Sequence, residues 1–327
     1  MAEKSGAGPS DLNSTDAVPP ADAPAQPVAP VASDDKEPPF AELFTMPETA
    51  TDGDLQGVIN RQIAWMAKKW KPEGGHTLLF LYDAAPINRG DADRIYQGLA
   101  EADREKPLLL ILHSPGGDVA AAYFIGKLCR ENTEVGFEVA VPRQAKSAAT
   151  LLCCAADRIH MGGLSELGPI DPQIRDMPVL AVKHSLEHLS ELATQYPGAR
   201  EMLSDYLAKS LPIEVLGYYE RAARSAVQYA ERLLQSRKDA PGTTEENSEL
   251  ARRLVYDYKD HGFAIDAGES AVLFGGGVVV RNSPEYDFAN RIYRSLNLIE
   301  IVIRNEFQRD FAFSGGIKGA WVRRRPS

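Results

Sequence analysis

Two short stretches contain the residue types needed for nucleophilic chemistry. The segment SPGG, at Ser114–Gly117, follows the apolar run LLLILH and precedes an apolar helical pattern. Further along, Ser147 heads the pattern SAATLLCCAAD. Glycine lets the chain turn sharply and lets backbone N–H groups approach a ligand closely. A serine at the start of a helix lies where the helix dipole favours negative charge. The pair therefore indicates a serine nucleophile beside an oxyanion hole.

Backbone amides are the expected donors of this oxyanion hole. The N–H of Gly117, with Gly116 beside it, and the N–H of Ala148 would face the carbonyl oxygen that Ser147 attacks. Each stretch also has a plainer interpretation, since SPGG can be a simple strand-to-helix turn and Ser147 can be a helix N-cap. The combination favours a site because the two segments leave successive strands of one sheet.

Short apolar runs alternate with helical patterns in the region that carries both stretches. The runs begin near Thr77, Leu108, Phe137 and Arg158, and helical patterns follow the first three. Continuous apolar strands that alternate with helices predict an α/β fold, in which both faces of a parallel sheet are covered. The loops that leave such strands meet along one edge of the sheet.

The sequence divides into four parts. Residues 1–50 are rich in Pro, Ala, Ser and Asp and predict a disordered segment, and residues 51–76 predict a helix and a linker. Residues 77–285 are expected to form the main domain, with a helical insertion at 179–260. Residues 286–327 are expected to form a C-terminal helix, a strand and a basic tail.

Composition narrows the functional classes. The chain has 327 residues, 44% of them hydrophobic, and a formal net charge of −10. This balance argues against a nucleic-acid partner, because a phosphate backbone needs a concentrated basic face. The cluster Arg323–Arg325 is interpreted as a solvated tail. No His, Cys, Asp or Glu cluster has metal-ligand spacing, so neither a metal nor a cofactor is expected.

Apolar run lengths and cysteine content point to the cytoplasm. No apolar run reaches the length of a membrane span, and the first residues lack the apolar centre of a signal peptide. The three cysteines lie in apolar helical patterns, where we interpret them as buried small hydrophobic residues. We therefore expect a cytoplasmic protein without an integral membrane segment.

Three motifs carry a resemblance to a known family. HSPGGDVAAAYFIGKLC, KSAATLLCCAADRI and LGPIDPQI occur in order and resemble the Clp-fold serine peptidases. The closest resemblance is to the serine dehydrogenase proteinase (SDH) family, related to Clp protease and signal peptide peptidases, over roughly residues 76–280. It implies a Clp/crotonase-like ββα spiral with additional C-terminal helices. It also implies Ser147 as nucleophile, with Gly117 and Ala148 in the oxyanion hole.

The general base is the least determined part of the predicted site. The loop 168–171, GPID, stands where a Clp histidine is expected, so the Clp triad does not transfer. Lys183 follows Ser147 by 36 residues (183 − 147 = 36), in an apolar context where burial would lower its pKa. A Ser–Lys dyad of this kind resembles the signal peptide peptidases. His261 is an alternative base, and Asp171 an alternative orienting residue.

The leading hypothesis is an ATP-independent serine peptidase that acts on peptides or proteins and forms a homo-oligomer. Two other functions stay open. The chain is a non-catalytic Clp-fold scaffold or peptide-binding module if the absence of the Clp histidine means that it has no peptidase activity. It is an acyl-CoA hydratase or thioesterase if the oxyanion hole holds a thioester and Ser147 is only a cap. Lys146 and His184 also remain candidate bases, although Lys146 is adjacent to the serine and is expected to point elsewhere.

Overall fold

The computed structural model describes residues 40–70, 75–174, 177–210, 213–238 and 243–324, without the side chains of residues 174, 177–182, 210 and 213–216. The predicted disorder of residues 1–50 therefore falls largely outside the described residues. It is wrong for the end of that segment, because helix α1 (Phe40–Leu43) forms there and Leu43 is buried.

The described residues contain twelve strands and eleven α-helices. The strands are β1 (Thr77–Asp83), β2 (Leu108–His113), β3 (Phe137–Val141), β4 (Gln144–Ala145), β5 (Arg158–Met161), β6 (Glu166–Leu167), β7 (Gln173–Ile174), β8 (Met177–Pro178), β9 (Ile265–Asp266), β10 (Val279–Arg281), β11 (Arg309–Gly315) and β12 (Ala320–Arg324). The helices after α1 are α2 (Asp52–Lys69), α3 (Arg89–Leu99), α4 (Val119–Glu131), α5 (Ala148–Cys153), α6 (Val179–Gln195), α7 (Arg200–Ser210), α8 (Ile213–Gln235), α9 (Thr244–Tyr256), α10 (Ala267–Phe274) and α11 (Pro284–Asn305).

A seven-stranded sheet forms the centre of the fold, with strand order β10-β5-β3-β2-β1-β11-β12. The first five strands are parallel, so the predicted α/β alternation is confirmed. Leu79 of β1 is paired with Leu110 of β2, and Leu110 is paired with Val139 of β3. The carboxyl ends of these strands consequently lie along the same edge of the sheet.

Helices cover both faces of this sheet, which explains why its central strands β1 and β2 are mostly apolar. In β1, Leu79 and Leu81 belong to the hydrophobic core that also contains residues of α3, α4 and α5. Phe80 and Tyr82 belong to a second core, which contains residues of α2 and α11. Because successive side chains of a strand point to opposite faces, covering both faces buries consecutive positions, as in Leu79–Asp83 of β1.

Helices α6 to α9 occupy the region 179–260, where the sequence predicts a helical insertion. No helix within the described residues combines the length and apolarity needed to cross a bilayer. The interpretation of the cysteines is confirmed, because Cys129, Cys153 and Cys154 are free and buried. Burial raises the pKa of the Cys154 thiol to about 12, so it is not a reactive thiolate.

The C-terminal part extends the central sheet and is not an appendage. Strand β11 pairs antiparallel with β1, and β12 pairs with β11 as the edge strand. The predicted boundary at 285/286 is therefore wrong as a structural division, because one sheet continues across it. Arg323 and Arg324 are exposed, as a solvated segment requires, but they lie in the edge strand β12 and not in a tail.

A small second sheet, of order β4-β6-β9, joins three segments that are distant in the sequence. Ala145 of β4 is paired with Leu167 of β6, and Leu167 is paired with Ile265 of β9. Ser147 lies just after β4, Asp171 lies just after β6, and His261 lies just before β9. This sheet therefore gathers those residues at one place.

Candidate active site

The doubled glycine is held against the turn that carries Ser147. Ser114 N donates to Gln144 O (3.1 Å), and Lys146 N donates to Ser114 O (3.1 Å), so the exit of β2 runs beside β4. Gly116 has φ +102°, and a β-carbon there would lie 2.6 Å from Lys146 O and 2.9 Å from Ser147 Cβ. Only glycine fits this approach without displacing backbone.

Gly117 is also required by a close backbone contact. Its φ is +145°, and a β-carbon at this position would lie 2.3 Å from Ile87 N and 2.5 Å from Ile87 O. Ile87 N donates to Gly116 O (2.7 Å), and Asp118 N donates to Ile87 O (2.8 Å). These bonds fix the glycine loop on both sides of Gly117, and the Gly117 N–H itself has no acceptor among the residues that the structure describes.

Ser147 adopts a backbone conformation that is rare for a residue with a side chain. Its φ is +48° and its ψ is −114°, and although it precedes α5, its side chain makes no capping hydrogen bond. The N-cap interpretation is therefore wrong with respect to hydrogen bonding. A sparsely populated conformation of this kind costs about 1–3 kcal/mol and is concentrated at functional sites.

Two backbone amides beside Ser147 have no hydrogen-bond acceptor within the described part of the chain. They are the N–H groups of Gly117 and of Ala148, the first residue of α5. A β-carbon at Gly116 would lie 3.2 Å from Ala148 N, which shows how closely the glycine loop approaches this amide. Free donors on both sides of a serine are the arrangement that an oxyanion hole requires.

Asp171 and His261 form a pair in the same region. His261 Nδ1 lies 3.7 Å from Asp171 Oδ2, and the Asp171 side chain is 8% exposed. Asp171 Oδ1 and His261 Nδ1 are buried and have no hydrogen-bond partner among the described residues. The separation is longer than a hydrogen bond by about 0.8 Å, which a small side-chain movement can close.

The loops that carry this pair are fixed by backbone hydrogen bonds. In the GPID loop, Ile170 N donates to Leu254 O of α9 (2.8 Å). In the turn that carries His261, the carboxylate of Asp260 accepts from Gly262 N (2.8 Å). Asp260 is therefore used to close the turn, whereas Asp171 is the carboxylate that faces the imidazole.

One cavity of about 540 Å³ brings these groups together. Its wall includes Gly116, Gly117, Ser147, Asp171 and His261. One face of α8 closes the opposite side with Ala222, Ser225, Ala226 and Tyr229, which follow helical spacing. The sequence predicts five of the residues in this wall, but it does not predict the contribution of α8.

Lys183 is not among the residues that line this cavity. Its side chain is 51% exposed, its Nζ lies 3.7 Å from Glu187 Oε1, and it stands 5.2 Å from the centre of the Tyr256 ring. The burial predicted for Lys183 is therefore wrong, because α6 turns this position toward solvent. Among the described residues that line the cavity, His261, Asp171 and Asp118 have groups able to accept a proton, and Asp118 Oδ1 already accepts from Ala121 N (2.7 Å) as the N-cap of α4.

Thr150, a further residue that was not predicted from the sequence, joins the serine helix to the GPID loop. Its hydroxyl is buried and lies 2.7 Å from Ala145 O and 2.6 Å from Gly168 O, and it accepts from Gly168 N at 3.1 Å. The hydroxyl of Thr150 in AATLLC, where every other residue of α5 is apolar, is the sequence signal that could have revealed it. Thr150 ties the segments of Ser147 and Asp171 together.

His113 lies next to the glycine loop but faces away from the cavity. Its ring stacks on Tyr82 at 5.2 Å and contacts the edge of Tyr293 at 4.8 Å, within the second core. Burial and, to a smaller extent, the charge of Arg143 lower the pKa of His113 to about 4. This histidine is therefore a neutral packing residue near neutral pH.

Comparison with known proteins gives the following matches. Residues 80–194 match the family described as ClpP-like SDH-type serine proteinase. Uncharacterized protein MJ0137 of Methanocaldococcus jannaschii is 37% identical over 97 residues, which are 30% of this chain and 34% of that protein. Uncharacterized protein MJ1495 of the same organism is 32% identical over 92 residues, which are 28% and 31%. The chain thus matches about a third of the length of these curated relatives.

Among solved structures, a variant of the 1510-N membrane-bound stomatin-specific protease matches with a TM-score of 0.40 and 13% identity. The match covers 68% of this chain and 83% of that one. The family match confirms the predicted resemblance and the Clp-like fold. The matched segment contains Gly117, Ser147, Asp171 and Lys183, and it ends before His261.

Proposed function

Given that residues 80–194 match the ClpP-like SDH-type serine proteinases, we propose that this protein is an ATP-independent serine peptidase. Ser147 is the nucleophile, His261 the general base and Asp171 the residue that orients the base. The observation that carries this proposal is that Ser147, the doubled glycine, Asp171 and His261 line the same cavity.

The reaction follows from these positions. Ser147 Oγ attacks the carbonyl carbon of the peptide bond, and its proton passes to His261 Nε2. Asp171 faces Nδ1 and stabilises the imidazolium that forms. The N–H groups of Gly117 and Ala148 bind the oxygen that becomes negative. Separations in an unliganded site are often longer than in the substrate complex, so 3.7 Å is compatible with this role.

The second half of the cycle reverses the proton movement. The C–N bond breaks as His261 returns its proton to the leaving amine, which gives an acyl-enzyme on Ser147. Water then attacks the ester, its proton passes to His261, and Ser147 leaves with that proton to release the carboxylic acid. The strained conformation of Ser147 supports this role because it frees the hydroxyl from helix capping.

His261 is preferred to Lys183 as the base for a geometric reason. A base must come within hydrogen-bond reach of the proton that it removes, and His261 lines the serine's cavity. The Lys183 ammonium is directed to Glu187 and to the Tyr256 ring. In this proposal Lys183 is a surface residue of the helical insertion.

Labelling with a fluorophosphonate, together with hydrolysis of a fluorogenic peptide library, tests the proposal. Ser147→Ala is expected to abolish both labelling and hydrolysis without changing the unfolding midpoint. His261→Gln should slow both by about 10³-fold or more, in the range of triad losses, whereas Lys183→Met should change them less than twofold. The reverse order would assign the base to Lys183, and wild-type protein inert to both reagents would favour the scaffold function.

A further inference from the structure

Lys146 has an unusually constrained side chain for a lysine next to a nucleophile. It is 13% exposed, and its Nζ lies 3.0 Å from Glu166 Oε1. The same ammonium donates to Phe263 O at 3.2 Å. Glu166 lies in β6, which leads into the GPID loop, and Phe263 belongs to the turn that carries His261. The charge therefore bridges two of the segments that form the site.

The rest of Lys146 contacts the GPID loop a second time and also the segments of the glycine loop and of Ser147. A β-carbon at Gly168 would lie 2.5 Å from Lys146 Cδ, so the aliphatic stem passes directly over the first residue of the GPID loop. The backbone N of Lys146 donates to Ser114 O (3.1 Å), and its carbonyl accepts from Ala149 N (2.8 Å). Lys146 thus contacts all four segments of the site. Its partners are Ser114 before the glycine loop, Ala149 after Ser147, Glu166 and Gly168 before Asp171, and Phe263 after His261.

This geometry also argues against Lys146 as the general base. An ammonium has three donors and no acceptor, and here it is directed at a carboxylate and a carbonyl oxygen. Lys146 does not line the cavity among the described residues, whereas the adjacent Ser147 does. Although Lys146 is adjacent to Ser147 in the sequence, its amine does not reach the cavity where the substrate would bind.

We propose that Lys146 is a positioning residue that holds the turn carrying His261 and the loop carrying Asp171 in register with Ser147. The inference rests on the proposed function, in which these three residues act together. Loss of the ammonium would free the Phe263 carbonyl and loosen the turn that presents the imidazole. A misplacement of about 1 Å at such a site can lower the rate about 10²-fold.

The test compares Lys146→Met with Lys146→Arg and with Lys127→Met. Methionine keeps most of the stem and removes the donors, arginine keeps a donor, and Lys127 forms a surface pair with Glu131 away from the site (3.6 Å). We expect Lys146→Met to lower kcat by about 10- to 100-fold with KM changed less than twofold, and Lys146→Arg to recover at least half of the loss on a logarithmic scale. Lys127→Met should leave both constants unchanged.

The pH–rate profile separates positioning from proton transfer. In Lys146→Met the acidic limb of the kcat profile should stay where it lies in the wild type, because the proposed base is still present. If that limb disappears with the activity, Lys146 is the base and the positioning role is refuted. An unchanged kcat in a folded Lys146→Met protein would refute it as well. Should Lys146→Met fail to fold, Glu166→Gln removes the other half of the ion pair and is expected to lower kcat in the same way.

Hydrogen exchange provides a readout that needs no catalysis. The amides of Gly262 and Phe263 close the turn of His261, and Phe263 N donates to Asp260 O at 3.1 Å. Their exchange should accelerate at least tenfold in Lys146→Met, as measured on a Ser147→Ala background, and stay at the wild-type rate in Lys127→Met. Unaltered exchange would overturn the positioning role, whereas altered exchange in a protein that never hydrolyses peptides would overturn only the proposed function.

Discussion

Gly116→Ala is the sharpest single test of how the site is built. The substitution adds one methyl group where a β-carbon would lie 2.6 Å from Lys146 O and 2.9 Å from Ser147 Cβ. It also imposes a side chain on a residue with φ +102°. Because one of the contacts is with backbone, rotation of a side chain cannot relieve the overlap, and the turn of Ser147 must move.

The expected cost has two parts. A left-handed conformation costs a residue with a side chain about 1–2 kcal/mol. Overpacking in a close-packed region costs about 1–3 kcal/mol more. We therefore expect Gly116→Ala to lower the free energy of unfolding by about 3 kcal/mol. Movement of Ser147 should also slow fluorophosphonate labelling by about 100-fold in the protein that remains folded.

Two other glycines separate the contributions. Gly275 has φ +93°, but nothing lies within 4 Å of the place that an added methyl group would take, so Gly275→Ala should cost only the conformational part, about 1–2 kcal/mol. Gly163 has open space and no left-handed φ, so Gly163→Ala should be nearly neutral. Urea unfolding measures all three variants. If Gly116→Ala is no less stable than Gly275→Ala and labels at the wild-type rate, the glycine loop does not position Ser147.

Three further predictions concern stability, pH and access to the cavity. Thr150→Val should destabilise the protein by about 1–3 kcal/mol in urea unfolding, because the buried Gly168 O loses its hydroxyl donor while Gly168 N and Ala145 O keep each other, whereas Thr150→Ser should stay near wild type. Burial raises the pKa of Asp83 from 3.8 to about 6. The free energy of unfolding that the protonated carboxyl contributes is therefore fully present below pH 3.8 and is lost as the pH rises through 6. Asp83→Asn should therefore gain stability relative to wild type by up to about 3 kcal/mol between pH 4 and pH 8, and a constant difference in unfolding free energy would contradict this. Ser225→Trp, at an exposed position in the cavity wall, should lower kcat/KM for bulky peptides at least tenfold and leave the unfolding midpoint unchanged, and equal turnover of all peptides would place the substrate elsewhere.

The parts of this protein that the sequence determines are those with a local signal. Strands buried on both faces are rich in consecutive apolar residues, so β1, β2 and most of β3 are visible in the sequence as apolar runs. The roles of Gly116 and Gly117 could be predicted from the sequence, because no other residue fits their conformations and contacts. Ser147 could be selected as a candidate nucleophile because it lies between the end of a strand and the start of a helix.

Other features depend on contacts between residues far apart in the chain. Strand β11 lies beside β1 across more than two hundred residues, and nothing local in RDFAFSG specifies that neighbour. Whether Lys183 is buried depends on which face of α6 is covered, and an apolar neighbourhood in sequence did not determine it. The pairing of Asp171 with His261, 90 residues later (261 − 171 = 90), arises because β9 joins β6 in the small sheet.

The nucleophile and its oxyanion donors could therefore be proposed from the amino-acid sequence, whereas the base could not. The first group depends on backbone conformation, which residue types restrict within a few positions. The second depends on where a side chain lies after the sheets and helices have packed. That position is set by the summed contacts of the whole domain, and only the tertiary structure contains it.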